Sequence, residues 1–176
     1  MKLSIAIPLA AMALICRAQA PIQPTPQPFR VTRATISELE TAFEERVKSL
    51  DRNDTFVLLG TATGVYLNGI GMVFTTPIDL IATPQYSPFH QVISKDEAAL
   101  AHKRKLAHLP ILLQAMKQTV TDAAAKLPGL PSGERIVIAV RLYFFDWEDR
   151  SGLPGQVVAS ADRESALAGK VQLDQQ

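Results

Sequence analysis

Residues 55–81 read TFVLLGTATGVYLNGIGMVFTTPIDLI and form the most strand-like stretch of the chain. Their β-branched and aromatic residues, interrupted by glycines, are typical of short strands joined by turns. The pattern predicts strands near 55–61, 64–67 and 70–80. The pair Asn68-Gly69 tolerates positive φ at both centres of a type I′ turn, so we expect a tight reversal there.

A second strand region follows at 134–147, where apolar residues alternate onto one face. That face carries Ile136, Ile138, Val140, Leu142 and Phe144. The opposite face is also partly apolar, so we expect a helix on one side and a loop or a partner on the other. The polar segment 146–155 predicts a hairpin loop, and 156–161 predicts the returning strand.

Two long helices are predicted at 35–51 and 95–127. The first has apolar residues at three- and four-residue intervals, and the second is rich in strong helix formers. Each begins with a capping-box pattern, at Thr35 and at Ser94. Pro110 interrupts the second helix, so we expect a kink or two separate helices there.

A short helix is predicted at 163–168, capped by Asp162. The last residues, VQLDQQ, show no clear reason to be ordered.

The charged residues of both helices are expected on solvated surfaces. In the first helix these are Glu38, Glu40, Glu44, Glu45, Arg46 and Lys48. In the second they form the basic cluster His102, Lys103, Arg104 and Lys105. Contact of this cluster with anionic lipid or another acidic surface is the alternative, but a short charge run on a helix is usually solvated.

These elements predict an α+β fold: an antiparallel or mixed sheet of about five strands, packed against the N-terminal helix and a long Pro-kinked helix. Residues 29–176 are enough for one domain with its own core. The preceding segment, 21–28, reads PIQPTPQP and is expected to be an extended, Pro-rich linker.

Residues 1–20 have the parts of a secretory signal peptide. Lys2 gives a positive start, and the uncharged run 3–15 is too short to span a bilayer as a helix. Cleavage after Ala20 would leave Pro21 first, and cleavage after Ala18 is the alternative. Lipidation of Cys16 is disfavoured, because it would need small residues before the cysteine, and Leu14 and Ile15 are bulky. We expect a periplasmic or secreted protein with no transmembrane anchor in the mature chain.

The mature composition argues against several classes of function. The chain contains one cysteine, Cys16, so cleavage would remove every thiol and with it disulfides and thiolate sites. Of 18 Lys and Arg residues two precede the cut, which leaves 16 against 17 acidic residues, a net charge of −1. So balanced a charge does not steer a protein toward phosphate backbones, and we expect no nucleic-acid partner.

No motif for catalysis or cofactor binding is recognisable. The glycines of 60–71 match neither dinucleotide nor phosphate loops, and GxSxG and HExxH are absent. The histidines, His90, His102 and His108, stand in no catalytic context. We therefore expect no cofactor and no metal, and the protein is more simply a non-enzyme, although a dispersed catalytic triad stays open.

The segment 146–155 contains the candidate binding residues. Asp146, Glu148 and Asp149 resemble the start of a calcium loop, but the register is wrong for an EF-hand, and a solvated loop is favoured. Trp147 is a candidate partner anchor, because tryptophan is enriched in interface hot spots. The alternative is that Trp147 covers the core at a strand end.

The segment 64–74, GVYLNGIGMVF, follows an export signal and precedes a long helix. In this it resembles small uncharacterised exported bacterial proteins, a likeness that implies an exported origin and no particular activity.

Two hypotheses for the function remain after these exclusions. The first is a non-enzymatic binding or envelope-associated module with a protein partner. The second is a small hydrolase or ligand-binding protein whose site is formed by the loops 81–94 and 146–155.

Overall fold

The structure, a computed structural model, describes residues 29–51, 54–86 and 92–176. The predicted signal peptide and the linker lie outside the described residues. The elements, in chain order, are α1 Arg33–Ser49, β1 Val57–Leu58, β2 Thr63–Leu67, β3 Gly71–Asp79, α2 Lys95–Lys126, β4 Arg135–Leu142, β5 Gln156–Asp162, α3 Arg163–Leu167 and β6 Gln172–Gln175.

The strands form one mixed sheet in the order β1-β3-β4-β5-β6, with β2 also paired to β3. β3 and β4 are parallel neighbours, whereas all other pairs are antiparallel. The chain crosses from β3 to β4 through α2, as parallel neighbours require. The predicted α+β fold, with its N-terminal helix and long helix, is confirmed.

The helices cover one face of the sheet, where the core lies. Met72, Ile78, Ile136, Ile138 and Val140 are fully buried on this face. The residues between them, such as Val137 and Arg141, are half-buried or exposed. The second face of β4 is therefore only partly covered, as its alternating sequence predicts. In the ranges that the structure describes, no helix has the length and apolar character needed to cross a membrane.

Helix starts follow their capping residues. Ser94 forms the predicted capping box, since its side chain accepts from the Glu97 N–H while the Glu97 carboxylate accepts from the Ser94 N–H. The first helix instead begins at Arg33, because Thr32 is its N-cap and accepts from the Thr35 N–H at 3.1 Å. The capping role predicted for Thr35 is therefore wrong by one turn.

Helix α2 runs through Pro110 as one element of 32 residues. The alternative of two separate helices is wrong, and a kink at Pro110 stays a prediction. Pro110 lies on the exposed side of the helix. The carbonyl of Leu106, which loses its usual donor there, is therefore on the solvent side, which lowers the cost of the missing hydrogen bond.

Glycines shape the turn into β3. The reversal after β2 is confirmed, with the Ile70 N–H bound to the Leu67 carbonyl at 3.0 Å. Only Gly69 has a positive φ at its centre, 79°, so the type I′ turn is wrong and the pattern is that of type II. Gly71 has φ 121°, and a Cβ there would lie 1.9 Å from the Arg135 carbonyl oxygen. Close approach of β3 to β4 therefore depends on this glycine.

Two other predictions of local structure are wrong. The strand predicted over 134–147 ends at Leu142, because the Glu148 carboxylate accepts from the Phe145 N–H at 2.9 Å and closes a turn. The chain end, predicted to lack order, forms β6. Its carbonyl at Gln176 accepts from the N–H groups of Gly155 and Gln156 at 2.7 and 3.0 Å.

The prediction that all charged helix residues are solvated is also wrong. Glu40 of α1 is buried and accepts two hydrogen bonds from Arg33 at 3.0 Å and one from the Gly64 N–H at 2.7 Å. Glu44 accepts from the Ala62 N–H at 2.8 Å. These carboxylates therefore satisfy backbone donors along the outer edge of β2. Lys105 of α2 is the second exception and lies at the candidate site.

Candidate ligand-binding site

The candidate site lies where the parallel strands β3 and β4 end. In open sheets with parallel strands, ligands bind outside the carboxyl ends of those strands, because the chain leaves in loops there and opens a crevice. Here β3 ends at Asp79 and β4 at Leu142. The segments that follow, 80–86 and 143–148, meet above these ends.

Lys105, on helix α2, contacts residues at the ends of both strands. Its side chain is fully buried, and its Nζ lies 2.8 Å from Asp79 Oδ1 and 2.5 Å from Glu148 Oε2. The same ammonium donates to the Tyr143 carbonyl at 3.2 Å and lies 4.9 Å from the centre of the Phe144 ring. Since a buried charge is tolerated only with partners, this lysine fixes the positions of Asp79 and of the 143–148 turn.

A cleft of about 550 Å³ opens beside Asp79. Its apolar walls are formed by Val57, Leu59, Pro77, Tyr143 and Phe145. The rings of Tyr143 and Phe145 meet edge to face, with centres 5.1 Å apart. An apolar cleft with a few fixed polar groups is the usual form of a small-molecule site.

Two of the polar groups that line this cleft are buried. The exposed fraction of Asp79 is 4% and that of Thr83 is 8%. The Thr83 hydroxyl has no hydrogen-bond partner in the described part of the chain. Buried hydroxyls are almost always paired, and an unpaired one costs about 1–3 kcal/mol. Thr83 is therefore a cleft-lining residue whose hydroxyl lacks a partner within the described part of the chain.

A second, smaller cleft of about 360 Å³ adjoins the first. The two clefts share Pro77 and Tyr143, and the second is also lined by Arg141 and Arg150. The Arg150 guanidinium lies 5.4 Å from the centre of the Phe144 ring. Neither arginine forms an ion pair with any residue in 29–51, 54–86 or 92–176. The first cleft is therefore lined by one carboxylate, Asp79, and its neighbour by two arginines.

A network of polar residues contacts the backbone next to Asp79. His108 is buried, with Nδ1 2.7 Å from the Leu80 carbonyl and Nε2 3.3 Å from Asp54 Oδ2. Its ring stacks on Phe56 at 4.8 Å. The hydrogen-bonded Arg104 guanidinium holds the pKa of Asp54 below its ordinary value. The network therefore fixes the backbone at Leu80, one residue after Asp79.

The four candidate binding residues of the 146–155 loop do not converge. Glu148 points inward to Lys105, whereas Asp146 and Asp149 are exposed. The indole of Trp147 stacks on Phe145 at 6.1 Å, and its buried N–H has no hydrogen-bond partner among the described residues. A binding role for these four residues stays a prediction.

The remaining sequence candidates are the histidines and the 81–94 loop. His102 Nδ1 lies 3.0 Å from the Asp149 carbonyl, and His90 is outside the described residues. Of the 81–94 loop, residues 87–91 are likewise not described, but Ala82, Thr83 and Gln85 line the cleft. Across the described ranges, no group of three or more His, Cys, Asp or Glu residues is arranged to hold a metal ion.

Asp79, Thr83 and Lys105 are the residues that the sequence analysis missed. One signal was available for Lys105. It follows Ala101 by four residues and precedes Leu109 by four and Leu112 by seven, so it lies on the buried stripe of α2. Asp79 and Thr83 carry no such signal, because neither a strand end nor a loop has a repeating pattern from which burial can be predicted.

None of the protein-family models, curated proteins or solved structures compared with this chain matches it. Function must therefore be argued from the site itself, since a fold of this class hosts many activities.

Proposed function

We propose that the protein is exported and that its folded domain binds a small amphipathic ligand in the cleft beside Asp79 and Thr83, without catalysis. Export is supported by the features of residues 1–20, which combine a charged start with a short apolar run. The observation that carries the binding proposal is the buried, unpaired Thr83 hydroxyl in the wall of an otherwise mostly apolar cleft.

Binding is favoured over hydrolysis by the groups that the cleft presents. Of the described residues that line it, none is a histidine. His108 is buried behind the site, with its Nδ1 beside the Leu80 carbonyl. Lys105 is enclosed by Asp79 and Glu148, so its amine cannot reach a ligand. A nucleophile beside a base, which covalent hydrolysis needs, is thus not among these groups. A protein partner in the cell envelope stays a prediction.

The cleft is tested with the neutral apolar dye Nile red, whose emission rises in apolar surroundings. Leu59 lines the cleft and is 46% exposed, so Leu59→Lys places a charge in the cleft wall without disturbing the core. Leu67 is 42% exposed and does not line this cleft, which makes Leu67→Lys the matched control. We expect saturable binding to the wild type and to Leu67→Lys, and at least about tenfold weaker binding to Leu59→Lys.

Equal dye binding by the two variants would show that the dye does not occupy this cleft. Absence of saturable binding to the folded wild type would also contradict the proposal. Circular dichroism confirms in each case that the variant is folded.

A further inference from the structure

We infer that the ligand is a short zwitterion with an apolar body, of the dipeptide class. Its ammonium group lies beside Asp79 and Thr83, and its carboxylate lies beside Arg141 and Arg150. This inference rests on the proposed function, because it names the ligand of the same cleft. It follows from the acceptors at one end of the site, the unpaired cations at the other and the distance between them.

The end of the site at Asp79 has more hydrogen-bond acceptors than the Lys105 ammonium occupies. Two carboxyl groups, of Asp79 and Glu148, face the single ammonium of Lys105. The contacts that the Asp79 side chain makes within the described chain both fall on Oδ1, from Lys105 Nζ at 2.8 Å and from the Ile81 N–H at 3.4 Å. Oδ2 and the Thr83 hydroxyl are thus left to accept hydrogen bonds from a ligand, and an ammonium group supplies three donors.

The wall between the two clefts suits the rest of such a ligand. Tyr143 and Phe145 present aromatic rings to the first cleft, and ring faces attract cations within about 6 Å. Pro77 and Tyr143, shared by both clefts, form an apolar surface for the body of the ligand.

The basic end offers a place for an anion, with two exposed arginines side by side. Arg141 and Arg150 line the second cleft and have no carboxylate partner among the described residues. A guanidinium forms paired, charge-assisted hydrogen bonds with a carboxylate. A ligand with an ammonium group alone would leave both arginines with water as their only partner, and a ligand with a carboxylate alone would supply no donor to Asp79 Oδ2.

The register of the sheet gives the backbone separation of the two ends of the site. Pro77 pairs directly with Arg141, and Asp79 follows Pro77 by two residues. With about 3.3 Å per residue along a strand and about 4.8 Å between strands, the Cα atoms of Asp79 and Arg141 lie roughly 8 Å apart. An extended dipeptide spans about 7 Å. A dipeptide is therefore the shortest peptide whose length matches this backbone separation.

The test uses four forms of one probe, measured by isothermal titration calorimetry on the full chain. The probes are leucyl-leucine, its N-acetyl form, its C-terminal amide, and the N-acetyl amide that lacks both charges. We expect leucyl-leucine to bind most tightly, each singly blocked form to bind about tenfold more weakly, and the doubly blocked form weaker still.

Variants then assign the two ends. In the double variant Arg141→Gln/Arg150→Gln, leucyl-leucine and its amide should bind with equal affinity, because the carboxylate has lost its partners. In Thr83→Val, the advantage of leucyl-leucine over its N-acetyl form should shrink. Arg30→Gln is the matched control, since Arg30 is exposed and lines neither cleft, and it should leave all four affinities unchanged.

The inference is overturned if the amide binds the wild type as tightly as leucyl-leucine, or if the N-acetyl form does. It is also overturned if none of the four peptides binds. In that last case, saturable Nile red binding that is lost in Leu59→Lys would keep the proposed function while rejecting this ligand class, so the two failures are distinguishable.

Discussion

Lys105 is the residue on which the geometry of the site depends. Its ammonium is fully buried and touches Asp79 from β3, the Tyr143 carbonyl after β4, and Glu148 from the following turn. Each contact compensates part of the cost of removing a charge from water. Because the partners come from two separate segments, the end of β3 and the 143–148 turn, one side chain holds together both walls of the cleft.

We predict that Lys105→Met destabilises the domain by about 3–5 kcal/mol, because it leaves two buried carboxyl groups without their cation. Urea denaturation followed by circular dichroism measures this loss. Lys103→Met is the matched control. Lys103 is exposed on the same helix, so its replacement should change the unfolding free energy by less than about 0.5 kcal/mol.

The triple variant Lys105→Met/Asp79→Asn/Glu148→Gln separates charge from packing. It should recover part of the lost stability, since uncharged partners no longer need a cation. If Lys105→Met proved as stable as the wild type, the buried ion pairs described here would not exist in solution.

At the residue scale the sequence predicted little of the site. The helical spacing of Lys105 was informative, but a charged residue on a buried stripe is unusual, and the run of four basic residues favoured a solvated surface. Thr83 stands in a loop segment and lines the cleft together with Tyr143 and Phe145, which lie about sixty residues further along the chain. Such contacts leave no trace in the local sequence.

Among the elements, the parallel pair β3 and β4 decides where the site forms. Their eight directly paired positions run from Gly71 opposite Arg135 to Ile78 opposite Leu142. Pairing begins at Gly71, where the backbones approach too closely for any side chain. This glycine therefore sets the register that brings Pro77 beside Arg141 and both strand ends to the cleft.

We predict that Gly71→Ala destabilises the domain by at least about 3 kcal/mol, since its Cβ would overlap the Arg135 backbone and its φ is unfavourable for alanine. Gly69→Ala is the matched control, because Gly69 also has a positive φ but nothing lies within 4 Å of its added Cβ. It should cost about 1 kcal/mol. Thermal and urea unfolding of the two variants compare them directly, and equal losses would refute the steric role of Gly71.

Most elements were predictable because each has a local cause. The capping box at Ser94 and the alternation of β4 are patterns within a few residues. The errors arise where distant contacts decide. β4 ends early because Glu148 closes a turn and pairs with Lys105, and β6 forms because it completes the edge of β5.

At the scale of the whole molecule, the described part of the chain is a one-sided sheet, with the helices on one face and the candidate cleft at one end. The sequence predicted this class of fold from the order of its elements and the balance of helix and strand patterns. It did not predict that β3 and β4 are parallel, since a long helix between two strands is compatible with either direction.

At this scale we also predict export. In a bacterial host carrying the full chain with a C-terminal tag, the protein should be found outside the cytoplasm, and intact mass should place its first residue at Gln19 or Pro21. Leu9→Arg, within the apolar run, should cause accumulation of uncleaved precursor, whereas Gln23→Arg in the linker should not. A mature chain that began with a lipid-bearing Cys16 would establish an anchored protein, and cytoplasmic retention of the uncleaved wild type would refute export.

The carboxylates of Glu40 and Glu44 have a consequence for behaviour at high concentration. An outer strand with vacant amide groups is a template on which other copies can add, and the product is a fibril. Here the amides of Ala62 and Gly64 are already occupied by the first helix. A neighbouring molecule that approached this border would find these two donors already bonded, so the first helix hinders the addition of a further strand at β2.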